Sequence, residues 1–268
     1  MSTSDNPEHW HFDKNPVTDF QGLLSGYDSS EFESPLRSTV PLLSLIRDGR
    51  PALQEIFMAC NFPSGPSLHF EFTVDSPKGV GLPSHTDLMV RSGNSQLALE
   101  AKWTEPRYET VERWRRKPPD PVHSGEYPNP DNRGNRLKGW LELIQPHATR
   151  PLVQEEFSSI VYQMVHRAAS ACASTAHPQL AYMLFTPLPD GKNVKSEHYY
   201  RDLTQFHQLL GEPPGFPFHL IEMQISPTDA FRDIQHLPKG SSETASIVQS
   251  ALRHGGLFEF IGFRLRTI

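Results

Sequence analysis

The 268 residues carry 25 Lys and Arg against 31 Asp and Glu, a formal net charge of −6 with a pI near 6.1, so no global basic field draws the chain to nucleic acid and such binding needs a local patch. The two cysteines, Cys60 and Cys172, are too few for a disulfide framework and lack CxxC spacing; both fall in apolar helical runs, where a small buried hydrophobe is the expected role. No apolar stretch approaches the roughly 20 residues of a membrane helix, the acidic, Trp-containing start is unlike a signal peptide, and a cytoplasmic setting without membrane contact is the expectation.

Residues 1–35 are polar, with aromatic islands at Trp10-His11-Phe12 and Phe20, and read as an N-terminal arm or irregular wrap outside one domain over 36–268. From Thr39 the pattern is helical: Leu42, Leu43 and Ile46 form one stripe, and Leu53, Ile56, Phe57 and Cys60 another, with Pro51 suited to a first helical turn. Residues 68–74 alternate apolar and polar as a strand does. Two further alternating runs, 84–90 and 96–103, flank Gly93-Asn94, the signature of a β-hairpin. A two-residue loop pairs Ser92 with Ser95 and, carried up the ladder, sets Asp87 opposite Glu100. Cross-strand partners have Cβ atoms about 5 Å apart, close enough for two carboxylates to share one divalent cation. Period-two alternation puts Lys102 on the Glu100 face and turns Leu97, Leu99, Ala101 and Trp103 to the other.

An insertion at about 104–150 is rich in Pro, Trp, Arg and Asn, with a short helix expected near 136–144. Its Arg113, Arg115, Arg116, Arg133 and Arg136 read either as a solvated loop or as a basic, aromatic surface that follows a phosphate backbone. Residues 152–174 form an amphipathic helix with Phe157, Ile160, Val161, Met164, Val165, Ala168, Ala171 and Cys172 on its apolar face. Ser159, Gln163, His166, Arg167 and Ser170 make an adjacent polar stripe. A strand at 180–185, a helix near 197–210 and a strand at 218–225 imply a parallel crossover, and 258–266 closes the chain as an edge strand.

A lone Glu-x-Lys triplet is weak evidence, and Asp190-Gly191-Lys192 is a decoy set among Pro and Gly that reads as a surface turn. Asp87, Glu100 and Lys102 differ because they lie on regular strands, share a face and oppose one another in register. The thirteen histidines supply no HxxxH or HExxH pair for zinc. P-loop, dinucleotide and GxSxG signatures are absent.

The order helix, acid-bearing strand, Asp strand, Glu-x-Lys strand, helix, strand resembles the PD-(D/E)XK nuclease superfamily over roughly residues 39–103 and 152–226, with Thr86 in place of the family's proline. The resemblance implies an α/β (α+β) restriction-endonuclease-like core, a central mixed β-sheet flanked by helices. It implies Mg²⁺, with Mn²⁺ substituting, held by Asp87, Glu100 and the Ala101 carbonyl, with Glu71 or Glu55 as candidates for a further acid. Lys102 would orient or activate the attacking water, a lysine beside the metal losing its proton more easily than in water, and Gln163 would contact that water or a backbone phosphate, with Arg167 on the same helical face as a nucleic-acid contact. The function implied is a Mg²⁺-dependent DNA endonuclease of restriction, defence or mobile-element type, with RNA as substrate and a homodimer left open. The rivals are a catalytically silent relative that binds nucleic acid or protein, and a hairpin whose charged face is only salt-bridged. Asp87 and Lys102 are expected to be partly solvent-accessible at one edge of a cleft.

Overall fold

A strand covered on both faces must be apolar on both, and residues 95–102 meet that condition at Leu97, Ala98, Leu99 and Ala101, each at most 1% exposed. In the computed structural model, which describes residues 9–117, 131–192 and 195–268, this run lies inside a mixed eight-stranded sheet with helices on both faces. In chain order the elements are β1 (Trp10–Phe12), β2 (Asn15–Pro16), α1 (Phe20–Gly26), α2 (Thr39–Asp48), α3 (Arg50–Ala59), β3 (Ser67–Val74), β4 (Ser84–Ser92) and β5 (Ser95–Lys102). There follow α4 (Val111–Arg116), α5 (Asn132–Ile144), α6 (Tyr162–Cys172), β6 (His177–Thr186), α7 (Ser196–Leu209), β7 (Phe218–Pro227), α8 (Asp229–Ile234), α9 (Ser242–His254) and β8 (Phe258–Thr267).

The sheet order is β2-β1-β3-β4-β5-β6-β7-β8. The pairs β3–β4, β4–β5 and β7–β8 are antiparallel, and β1–β3, β5–β6 and β6–β7 are parallel. As expected, β6, α7 and β7 make a parallel crossover and β8 is an edge strand. One core fills the side of α1, α2, α3 and α9 and holds Leu97, Leu99, Ala101 and Trp103. The other lies beneath α5, α6 and α7 and holds Ala98, Leu180, Tyr182 and Leu184. Both cysteines are buried and free, and no helix among the described residues is long and apolar enough to cross a membrane.

Two expectations need correction, and two helices had gone unread. The segment read as an arm is structural from Trp10 onward: β1 pairs with β3, and Trp10, Leu23, Leu24, Tyr27 and Phe32 are buried in the first core. The helix expected from 152 begins at Tyr162, because the chain before it bonds elsewhere. Val111 and Glu112 donate to the Ile160 and Ser158 carbonyls, and Tyr162 donates to Glu109, a bridge incompatible with helix. Helices α8 and α9 were not anticipated. Ala245, Val248 and Leu252 of α9 close the first core, and Ser241 caps its start by accepting from the Thr244 N–H.

Candidate acidic site on the central strands

The hairpin has the register its sequence dictates, from Ser92↔Ser95 to Leu88↔Leu99, with Gly93 at φ 54° supplying the left-handed turn residue. The ladder stops one step before Asp87 and Glu100. On the other side of β4, Phe70↔Leu88 and Phe72↔Thr86 pair, but Glu71 and Asp87 between them do not. Glu71, Asp87 and Glu100 therefore form a row across β3, β4 and β5 where both ladders are interrupted.

Side-chain phase reverses at this row. Phe70 enters the first core and Phe72 the second, although residues two apart on a regular strand share a face. On β4, Ser84 reaches α6 and so does Met89, five residues on. Glu71 sits at φ 51°, a left-handed conformation costing a non-glycine residue on the order of 1–3 kcal/mol. Regular strand alternation would set Glu71 on the face opposite both Phe70 and Phe72, and it does not, because those two do not share a face.

At the break, the Ala101 N–H donates to Asp87 Oδ2 at 2.8 Å. Glu100 is 2% exposed, so its charge requires dense compensation. Its Oε1 accepts from Lys102 Nζ at 2.8 Å and Gln163 Nε2 at 2.7 Å, and its Oε2 accepts from Arg167 Nε. Gln163 and Arg167, one turn apart on α6, thus grip both oxygens of one carboxylate. Arg167 Nη1 also donates to Ser84 Oγ at 2.8 Å, and that hydroxyl lies 2.8 Å from His166 Nδ1. The half-exposed Tyr108 ring lies over the Lys102 ammonium at 5.6 Å.

The electrostatics follow from three carboxylates facing two cations. Burial pushes the Glu100 pKa up, but Arg167 and Lys102 outweigh it and hold the group below the usual value. Burial, then Glu100, raises Asp87 despite Arg167 and Lys102; burial, then Asp87, raises Glu71. Burial would lower Lys102, yet Glu100 and Asp87 raise it above the ordinary lysine value. These carboxylates by themselves favour the protonated lysine; the easier proton loss expected of a lysine beside a bound metal turns on the ion's own charge. His166 is buried and held neutral by desolvation and Arg167.

Several expected site residues lie elsewhere or act differently. Glu55 is exposed on α3, which packs on α2 and on β8 at the far edge, so it does not join the row. Lys102 and Arg167 are buried at 5% and 7% exposure, so Arg167 is no surface contact for phosphate and Lys102 does not face a cleft. Solvent reaches the row at Glu71 and Asp87, both half-buried, as expected for Asp87; His85 Nδ1, half exposed, stands 3.8 Å from Glu71. A cavity of about 380 Å³ lies instead beside Trp10, Phe20, Arg47 and Arg50.

Of the insertion arginines, Arg113 and Arg115 are exposed and Arg116 pairs with Glu112 at 2.7 Å. Arg133 donates to the Trp114 and Lys117 carbonyls and Arg136 to Leu82, so these two brace the fold. Residues 118–130 of the insertion lie outside the described residues. The decoy is an exposed turn, with Lys192 Nζ 2.8 Å from Asp190 Oδ2, as expected.

Sequence reasoning missed Ser84, Tyr108, Tyr27 and Tyr182. Tyr182 pairs with Glu100 in the β5–β6 ladder, and the hydroxyls of Tyr27, Thr86 and Tyr182 are buried without a hydrogen-bond partner. An aromatic residue at the strand position beside Glu100 was the available signal for Tyr182. Among the described residues, no group of three or more His, Cys, Asp or Glu side chains is placed to hold a metal ion.

The molecule is thus an α/β protein built on one mixed sheet with an acidic row across its central strands. The chain belongs to the family described as Domain of unknown function (DUF6946), whose model matches residues 16–224. No curated protein and no solved structure matches it.

Proposed function

We propose that this chain is a Mg²⁺-dependent phosphodiesterase with a PD-(D/E)XK, restriction-endonuclease-like core, acting on DNA. The observation that carries the reading is the junction just past the β4–β5 ladder, where the Ala101 N–H donates to the Asp87 carboxylate while Lys102, Gln163 and Arg167 bond the adjacent Glu100.

The residues present fit a divalent ion. Asp87 accepts one hydrogen bond, on Oδ2, and Glu100 Oε2 accepts one from Arg167, which leaves acceptor capacity on both carboxylates. Three carboxylates against two cations leave excess negative charge in the row, which a divalent ion would offset. Asp87, Glu100 and the Ala101 carbonyl would hold the ion, with Glu71 beside them. When bound, it supplies Lewis-acid polarisation of the phosphoryl group and a more acidic water.

The chain's own residues supply the rest. Lys102, buried and bonded to Glu100, acts through that carboxylate, fixing it and adding positive charge to the field around the reacting phosphate. Glu71, beside the ion rather than among its ligands and reached by solvent next to His85, is the group suited to accept a proton from the attacking water. Gln163 and Arg167 fix the orientation of Glu100, and Tyr108 covers Lys102 from solvent.

One observation favours the silent relative: both oxygens of the nearly buried Glu100 are already engaged by protein donors. Incubation with supercoiled plasmid and Mg²⁺, with and without EDTA, separates the readings. EDTA-sensitive nicking is expected. Divalent binding without cleavage would support the silent relative, and neither binding nor cleavage would leave the row as a salt-bridged face.

A further inference from the structure

The cavity of about 380 Å³ shares no residue with the acidic row and falls within the size range of small-molecule sites, about 300–1,000 Å³. Segments distant in sequence meet there: β1, the first turn of α1, the end of α2, the start of α3 and the end of α9. Its apolar wall is two aromatic rings, Trp10 and Phe20, set edge to face with centroids 6.4 Å apart. Trp10 is 7% exposed, and its indole N–H has no hydrogen-bond partner among the described residues.

Three guanidiniums line the same space. Arg50 lies over the Trp10 ring at 5.0 Å and Arg47 over the Phe20 ring at 5.5 Å, so both are held on aromatic faces. Arg47 Nη1 also donates to the Leu252 carbonyl, which brings it to the last turn of α9. Arg253, the next residue, is exposed there and makes no hydrogen bond or ion pair among the described residues. The wall is therefore continuous from Arg253 through Arg47, Phe20 and Trp10 to Arg50. Its two carboxylates already serve as acceptors for backbone. Asp19 Oδ1 takes the Gly22 N–H at 2.7 Å, capping α1, and Asp48 Oδ2 takes the Gly256 N–H at 2.9 Å. Three cations against these two carboxylates leave one positive charge in excess. A guanidinium fork matches a carboxylate or phosphate with two parallel hydrogen bonds.

We infer that this cavity binds a small aromatic anion, a flat ring carrying a phosphate or carboxylate group. The ring packs against Trp10 and Phe20 and gives the indole N–H its acceptor, while the anionic group is met by the guanidiniums. Thr18 and Gln21, exposed at the rim, offer a hydroxyl and an amide to polar atoms of the ring. The site stands on residues outside the acidic row and holds whether or not the nuclease reading does.

The test is calorimetric titration of the full chain in EDTA, so that no divalent ion at the acidic row contributes. The probes are adenosine 5′-monophosphate, 4-hydroxybenzoate, adenosine and inorganic phosphate. One or both aromatic anions should bind at least about tenfold more tightly than adenosine, which lacks the charge, and phosphate, which lacks the ring. Binding of the nucleotide alone would assign a phosphate ester, and binding of 4-hydroxybenzoate alone a carboxylate. Arg253→Ala should weaken binding about tenfold with an unchanged melting temperature, because the side chain is exposed. Ligand should also change the tryptophan fluorescence of the wild type, and Trp10→Phe should remove that change. Binding of neither anion would overturn the site. So would adenosine or phosphate binding as tightly as the anions, or wild-type affinity in Arg253→Ala. Cleavage plays no part in these readouts, so failure of the nuclease reading leaves them unaffected.

Discussion

The Ala101 N–H donates to the Asp87 carboxylate at 2.8 Å, so a side chain serves as acceptor at the point where the β4–β5 ladder ends. The bond has two consequences that mutation can separate, since it is both a structural tie and a means of aiming one acid at the Glu100 strand.

Asp87→Asn keeps the tie, because an amide oxygen accepts the same N–H, and removes the charge. The variant should fold and melt at or above the wild-type temperature at pH 8. Its affinity for Mn²⁺ or Mg²⁺, measured by calorimetry, should fall at least tenfold and plasmid nicking should vanish. Undiminished ion binding would remove Asp87 from the ligand set.

Glu71 gives a pH signature. Burial and then Asp87 raise its pKa, so the folded protein favours the protonated form. Its ionisation leaves stability intact below the unfolded value, about 4.3, and erodes it as pH rises through that value toward the raised native one. Glu71→Gln should therefore stabilise the protein by on the order of 1 kcal/mol at pH 8 and by much less at pH 4. An equal gain at both pH values would show that charge is not the cause.

Lys102 and Arg167 are buried against Glu100, contrary to the expectation that Lys102 is partly solvent-accessible. Arg167→Met leaves Ser84 and one Glu100 oxygen without their donor, and a loss of about 3–5 kcal/mol in chemical denaturation is expected. Lys102→Met should cost less, about 1–3 kcal/mol, since Gln163 and Arg167 remain. Folded Lys102→Met should retain or tighten divalent binding while cleavage drops roughly 10²-fold or more. Wild-type cleavage in that variant would make the triplet a decoy like the one at Asp190.

The insertion arginines should divide by their contacts. Arg113→Ala/Arg115→Ala should leave stability unchanged and lower the log–log salt slope of DNA binding by about one per lost phosphate contact. Arg136→Ala should lower the melting temperature instead, because its guanidinium holds the Leu82 carbonyl. Unchanged binding at low salt in the double variant would reduce α4 to a solvated face.

Much of the sheet was legible because strand periodicity is local. A two-residue turn and strict alternation set the β4–β5 register, and the position of Glu100 followed from it. Helix α9 was legible too, in the spacing of Ala245, Val248 and Leu252 with Ser241 as its cap, and was missed. The arm was misjudged because β1 is only Trp10–Phe12, too short to show a period, and gains its place by pairing with β3.

The sequence by itself determined the hairpin register, the α/β class and the identity of the charged residues that meet. Only the tertiary structure decided that Arg167 and Gln163 turn inward. A polar residue on a helix shoulder can face water or a buried partner, and here the nearly buried Glu100 carboxylate needs donors that only α6 can bring. The reversal of side-chain phase at Glu71 and Asp87 was likewise invisible along the chain. It arises where β3 and β4 must serve two different cores, and no local pattern of residues encodes which core claims each face.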